Sequence, residues 1–240
     1  MRMLKMLFIA FMASLNCSKS DEISQVGFIG DAVYKYTITT AHLNGESSNY
    51  HDYEYFRTFA AGAELELSNQ LGETEINGWY ISEFSIDHFD NNKWYWTVAF
   101  DYGGGIQRIS VPITPSGQTR FRIGETGKVM EATNVALTIY SDFSERSYFY
   151  EISHEELDTL LVGIESYTIL LDLVDASKKE LARIIHENDL SKWRISGFSY
   201  RRLGTTDHWY WTVAMNCIES DDFIVIPFNS TGCRIGTTKE

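Results

Sequence analysis

The chain has 240 residues, of which 44% are apolar, 14% aromatic and 22% charged, with only 3 prolines. That composition excludes a disordered or collagen-like polymer and leaves room for one or two domains with sizeable cores. Asp and Glu outnumber Lys and Arg by 33 to 20, a formal charge of −13, which argues against nucleic acid as a partner because phosphate binding needs an excess of cations.

Residues 1–16, MRMLKMLFIAFMASLN, carry Arg2 and Lys5 ahead of an unbroken apolar run from Met6 to Ala13. A basic start followed by a short apolar core predicts a secretory signal peptide, and the run is too short to span a bilayer. A buried N-terminal helix is the other reading, and the lack of a polar face on the run counts against it. Cys17 follows directly, then Ser18, Lys19, Ser20, Asp21 and Glu22. This arrangement resembles the start of a bacterial lipoprotein. The resemblance implies that Cys17 becomes the lipidated first residue of the mature chain, with residues 17–30 as lipid-attachment cysteine and tether. Ser14 and Asn16 depart from that pattern, and Leu15 stands one position late; cleavage and secretion without lipid is the competing outcome. Loss of Arg2 and Lys5 with the leader moves the net charge from −13 to −15. The expected location is the cell envelope, lipid-anchored on the periplasmic face or the cell surface.

Residues 31–40 alternate between polar and apolar and predict a strand. A helix near 57–71 follows, with Leu67 and Leu71 on its apolar stripe and Gly72 closing it. Strands are expected near 79–86, 93–102 and 107–114, with Gly103, Gly104 and Gly105 as a hairpin turn. Further strands are expected at 134–140 and 146–152, and Ser153-His-Glu-Glu156 is a capping box that opens a helix near 154–162. A second capping box, Ser177-Lys-Lys-Glu180, predicts a helix start at Ser177, with Leu181, Ile184 and Ile185 on one stripe. Strands near 193–200, 208–217 and 223–229 complete the chain.

The later elements repeat the earlier ones. WYISEFS at 79–85 matches WRISGFS at 193–199, and WYWTVA occurs at both 94–99 and 209–214. The register continues through Ile109/Ile224, Pro112/Pro227 and Gly117/Gly232, and upstream through Glu66-Leu67/Glu180-Leu181. Such self-similarity marks a duplicated domain. The predicted fold class is therefore α+β, two tandem copies of a helix packed on a small antiparallel sheet. The first repeat covers 31–120, a linker 121–133 and the second repeat 134–240, with one or two strands gained in front of each helix. On the middle strand Trp94, Trp96, Val98 and Phe100 alternate with Tyr95, Thr97, Ala99 and Asp101, and residues 209–216 repeat the pattern. One face is expected to be core and the other open. The apolar phase slips between Ile81 and Phe84 and between Ile195 and Phe198, which predicts a bulge near Glu83 and Gly197.

Helix, three strands and a Gly-closed turn, carried by WYWTVAFDYGGG with ISVPITPSG (94–117) and by WYWTVAMN with FIVIPFNSTG (209–232), resemble the PepSY-type domain. That resemblance implies a small secreted or lipid-anchored module, a kind found in propeptides of secreted peptidases. The family's usual acidic residue before the turn is absent, and the two Trp of the middle strand are not a family mark. Tandem helix-plus-sheet repeats also resemble some secreted enzyme inhibitors, a likeness of fold alone.

Chemistry-bearing motifs are sparse. The six histidines form no HExxH or HxH pair, no G-x-S-x-G elbow occurs, and the glycine triplet lacks a following Lys-Ser/Thr. No cofactor, metal or catalytic residue is assigned. Cys217 beside one turn and Cys233 beyond the far strand end lie up to ~30 Å apart in extended geometry, so two free thiols are expected. The candidate binding residues are those of the open faces: Tyr80, Tyr95 and Thr97 in the first repeat, and Arg194, Tyr210 and Thr212 in the second. The alternative is that these faces pack against the extra strands or the other repeat. The leading expectation is a non-enzymatic protein- or peptide-binding module, inhibitor- or immunity-like, whose acidity favours a basic partner. The alternative is a glycan-binding or hydrolytic protein using a cleft between the repeats near His51, Asp87 or His88.

Overall fold

Helix and antiparallel strand are both present, with strand predominating, in the computed structural model. It describes residues 22–43, 49–72, 76–90, 92–103, 107–119, 122–125, 135–143 and 146–239. The expected signal peptide, Cys17, Gly104, Gly105 and residues 126–133 of the expected linker lie outside the described residues. The strands are β1 (Glu22–Ile29), β2 (Ala32–Thr39), β3 (Trp79–Asp90), β4 (Lys93–Tyr102), β5 (Gln107–Ile113), β6 (Arg122–Glu125), β7 (Val135–Phe143), β8 (Arg146–Ser153), β9 (Leu161–Val162), β10 (Trp193–Arg202), β11 (Trp209–Cys217), β12 (Phe223–Phe228) and β13 (Thr237–Lys239). The helices are α1 (Thr40–Leu43), α2 (Glu54–Leu71), α3 (His154–Leu160) and α4 (Thr168–Ile185).

The chain divides into two compact units. Within residues 49–167 the strand order is β3-β4-β5-β7-β8-β6, with β9 beside β4. Helix α2 crosses one face of this sheet. Its buried Phe56, Phe59, Ala60, Ala63 and Leu67 recur at three- and four-residue spacing, which lines them up as one stripe. They meet the strand face predicted to be core: Phe56 stacks on Phe84 at 4.3 Å and meets Trp96 edge-on at 5.6 Å. Burying each such ring stabilises the fold by about 1.5–3 kcal/mol. Gly72 closes α2 in the left-handed region at φ 67°, where glycine carries no steric penalty.

The other unit joins described residues of 1–48 to those of 168–240. Its order is β10-β11-β12-β1-β2-β13, antiparallel throughout. Leu170, Leu173, Ser177, Leu181 and Ile184 are the buried stripe of α4. Beneath that helix, Tyr200 stacks on Trp209 at 5.3 Å and lies 4.8 Å from Trp211.

The same local bonds recur at 114 or 115 residues' separation. The register shifts between Ile81 and Glu83 and between Ile195 and Gly197, at the places where the apolar phase slips. In these bulges the Ser82 hydroxyl donates to the Ala99 carbonyl at 3.3 Å, and Ser196 donates to Ala214 at 3.3 Å. After the third strand of each unit, the Gly117 N–H donates to Thr114 O at 2.8 Å and the Gly232 N–H to Asn229 O at 3.1 Å. The outer contact of β5 with β7 is the pair Arg108↔Asp142, and that of β12 with β1 is Phe28↔Phe223. Pro112 and Pro227 sit beyond those pairs, and the Pro227 carbonyl accepts from the Ile235 N–H at 3.0 Å, a bond that needs no N–H of the proline.

Four expectations need correction. The hairpin ahead of each helix exists but does not flank that helix's own strands. The hairpin β1–β2, which precedes α2, pairs with β12, and the hairpin β7–β8, which precedes α4, pairs with β5. Residues 22–29, read as tether, form β1. Its inward side carries buried Gln25 and Gly27 besides Ile23, and its exposed side Val26 and Phe28, so polarity runs opposite to burial over residues 25–28. Helix α4 starts at Thr168 and not at Ser177. Ser177 is buried mid-helix with its hydroxyl on Val174 O at 2.9 Å, because Leu170 and Leu173 extend the apolar stripe upstream. Residues 122–125, read as linker, pair with β8 as β6.

Helix α2 and the turn after β5 touch backbone to backbone. A Cβ on Gly62 would lie 1.9 Å from the Gly117 carbonyl oxygen. An exposed helical Gly→Ala change ordinarily stabilises by ~1 kcal/mol. Gly62→Ala is expected instead to destabilise by about 1–3 kcal/mol through overpacking, read as a lower urea midpoint; a raised midpoint would show that the contact is not tight.

Candidate functional site

Beyond its bulge, β3 turns Phe84 and Ile86 toward α2 and presents Glu83, Ser85 and Asp87 on the opposite face. Register places Ser85 beside Thr97, Asp87 beside Tyr95, and Asp101 beside Arg108. The Ser85 and Thr97 hydroxyls lie 2.6 Å apart, and Ser85 donates to Asp87 Oδ2 at 3.3 Å. The Arg108 guanidinium pairs with Glu83 and reaches Asp101 at 3.7 Å. Burial pushes the Asp87 carboxyl up to about 7, the Glu83 charge adds to the shift, and the Ser85 bond opposes it. Burial, with Asp87 nearby, also raises the Tyr95 phenol. The arrangement supplies a carboxyl able to hold or release a proton near neutral pH beside a short hydroxyl chain.

Asp87 does not meet the histidines that the sequence set beside it. His88 faces the other way and lies edge-on to Trp94 at 4.8 Å. His51 lies tilted against Tyr50 at 4.0 Å, and Tyr50 in turn lies 5.3 Å from Phe84, on the α2 side of the sheet. Among the described residues, no group of three or more His, Cys, Asp or Glu is placed to hold a metal ion, and no helix is long and apolar enough to cross a membrane.

The expected binding-face residues have different surroundings. Arg194 is exposed, and Tyr80 and Tyr95 are half-buried. Thr97, Tyr210 and Thr212 are only 6%, 1% and 3% exposed. Tyr210 packs with Ile38, Leu43, Leu203 and Ile235, and its oxygen accepts from the Gln25 amide at 3.1 Å. The expectation of an open face does not hold at these three positions. Alternation assigns a side of a strand but not what crosses it, and here Ile235, held by its N–H to Pro227 O at 3.0 Å, lies over Tyr210. Cys217 and Cys233 are free thiols, as expected.

A second polar set, which sequence reasoning missed, ties each long helix to a hairpin. Glu180 of α4 accepts from Arg183 at 2.8 Å, from Arg234 at 3.2 Å and from the Tyr36 hydroxyl at 3.5 Å. Glu66 of α2 accepts from Thr119 at 3.2 Å and from Gln70 at 3.5 Å, and Gln70 also donates to Tyr150 Oη. Tyr36 and Tyr150 are fully buried, and burial together with the helix carboxylate raises both phenols. The signal was present in the sequence: Tyr34, Tyr36, Ile38 and Leu43 recur 114 residues on as Tyr148, Tyr150, Ile152 and Leu157.

Asp87 makes stability depend on pH. Its folded-state affinity for a proton exceeds the ordinary 3.8, so the folded form binds more protons than the unfolded one between about pH 4 and pH 7. Stability therefore falls as pH rises through that window and is level above it. Asp87→Asn, which keeps the shape and removes the charge, should flatten the decline and make the variant more stable by about 1–3 kcal/mol at pH ~8 while changing little at pH ~4. Denaturant unfolding at the two pH values checks this; equal slopes for both proteins would contradict it.

No protein family, curated protein or solved structure matches this chain.

Proposed function

We propose that the chain is a cell-envelope lipoprotein, anchored through Cys17, that binds a protein or peptide as an inhibitor- or immunity-like module. On this reading it arose by tandem duplication of a repeat similar to the PepSY domain. The observation that carries the binding reading is the exposure of Val26, Phe28 and Val33 on one sheet of a strongly acidic chain. Grouped apolar side chains left in water favour a surface that another molecule covers. The separation of Asp87 from His51 and His88 weighs against the hydrolytic alternative, in which acid and base must converge on one reacting atom.

The duplication is supported by the matched bulges, turns and outer bridges, and by the tyrosines at 36 and 150. It has a topological consequence: each copy contributes its hairpin to the sheet of the other. The PepSY resemblance and the lipid anchor rest on the sequence alone.

Cys17→Ser should shift the protein from the membrane fraction to the soluble envelope fraction; a variant that stays with the membrane would remove the anchor from the account. Pull-down from a membrane extract with the mature chain is expected to retain one saturable partner, more strongly in low than in moderate salt. No partner under either condition would overturn the binding reading.

A further inference from the structure

The side of β1 turned away from the buried Gln25 and Gly27 carries Val26 and Phe28, 36% and 43% exposed. Register sets Phe28 beside Val33 of β2, itself 48% exposed, and beside Phe223 of β12. The Phe28 and Phe223 rings are 5.4 Å apart. Together they make an apolar row across neighbouring strands that water covers.

The fold does not demand an apolar row there. At the matching place in the other unit, the bridge of β5 to β7 pairs Arg108 with Asp142, and Ser147 stands where Val33 does. Polar residues occupy the same positions of the same topology, so the apolar character belongs to this surface and not to the sheet. Contiguous exposed apolar side chains of this kind mark interaction sites.

Charge identifies the occupant. One end of the row is bordered by two turns: β1–β2 with Asp31, and β11–β12 with Glu219, Asp221 and Asp222. Asp222 Oδ1 accepts from the Gly30 N–H at 2.9 Å, which ties the turns together. Against these carboxylates stand Lys192, paired to Glu219 at 2.7 Å, Lys35, in register with Val26, and the exposed Arg194, in register with Phe223 across Asn216, so that carboxylates still exceed cations around the row. A second copy of the chain would bring the same acidic border and a net charge of the same sign, and an anionic membrane would be repelled likewise. We propose that the Val33–Phe28–Phe223 row binds a cationic amphipathic segment of a partner protein, whose apolar side chains cover the row while its Lys or Arg side chains reach Asp31 and Asp221. This assignment rests on the binding reading given above and gives it a surface and a partner class.

The test uses the full mature chain and a labelled, short amphipathic Leu–Lys peptide, with fluorescence anisotropy as readout. Saturable binding is expected. A Ser–Lys peptide of equal charge and a Leu–Glu peptide of equal apolarity should each bind at least about tenfold more weakly. Phe28→Ser with Val33→Ser should weaken the Leu–Lys peptide by about tenfold or more, and so should Asp31→Asn with Asp221→Asn. If the apolar double variant melts below wild type, the acidic pair, which leaves the row intact, decides the matter. Unchanged affinity in a folded double variant, or equal binding of the Ser–Lys peptide, would overturn the proposal. So would concentration-dependent dimers lost on Phe28→Ser, or co-sedimentation with phosphatidylcholine vesicles lost on the same change. An envelope partner retained by Phe28→Ser with Val33→Ser would remove this surface while leaving the binding reading standing, whereas no partner at all would remove both.

Discussion

A carboxylate nearly buried beneath a helix is tolerable only when donors are brought to it, and here they come from distant parts of the chain. Glu180 sits with Tyr36, 144 residues away in sequence, and Glu66 reaches Tyr150 through Gln70, 80 residues away. An uncompensated charge in such a place costs several kcal/mol; Arg183 and Arg234 supply the shorter bonds to Glu180 and Thr119 one to Glu66, and the tyrosines add a tie from each helix to a hairpin. The sheet orders agree with those ties. β2 lies where Tyr36 reaches α4, with β1 against β12; β8 lies where Tyr150 reaches α2, with β7 against β5. On the duplication reading, each copy lends its hairpin and borrows the other's.

Much of the architecture was legible because strong periodic signals were present. The alternation of Trp94, Trp96, Val98 and Phe100 gave the buried face, and the phase slip at Ile81 and Ile195 located both bulges. Ser153 with Glu156 marked the start of α3, where the side chain and backbone bonds are reciprocal. What failed did so for physical reasons. Ser177 with Glu180 has the spacing of a capping box, but tertiary burial of Leu170 and Leu173 carries the helix through it. β1 was missed because its buried side carries Gln25 and Gly27 while Val26 and Phe28 face water. Gly27 is needed there, since a Cβ would lie 2.7 Å from the Ile224 Cα. Which hairpin serves which helix is a long-range choice, and local patterns do not encode it.

The candidate site was less legible than the fold. Tyr95 and Asp87 were visible as polar residues on a sheet face, but the bulge that brings Glu83 into line with them also sets Arg108 against it. Tyr210 shows the limit of face assignment: matched to Tyr95 by sequence, it is core because Ile38 and Ile235 lie over it. The two units thus share a topology and differ in what their equivalent surfaces offer. One carries a carboxyl–hydroxyl–guanidinium set, and the other an apolar row with an acidic border. On the duplication reading, one copy keeps polar residues where the other exposes apolar ones.

The tie of the β1–β2 hairpin to α4 is tested most directly by hydrogen exchange on Tyr36→Ala in the full chain. If Tyr36 holds its hairpin against α4, loss of its ring should speed exchange in residues 168–185 and 193–228 and leave residues 54–71 and 79–113 protected. Faster exchange in residues 54–71 and 79–113, with 168–228 unchanged, would place Tyr36 with the helix that follows it in sequence and contradict the account.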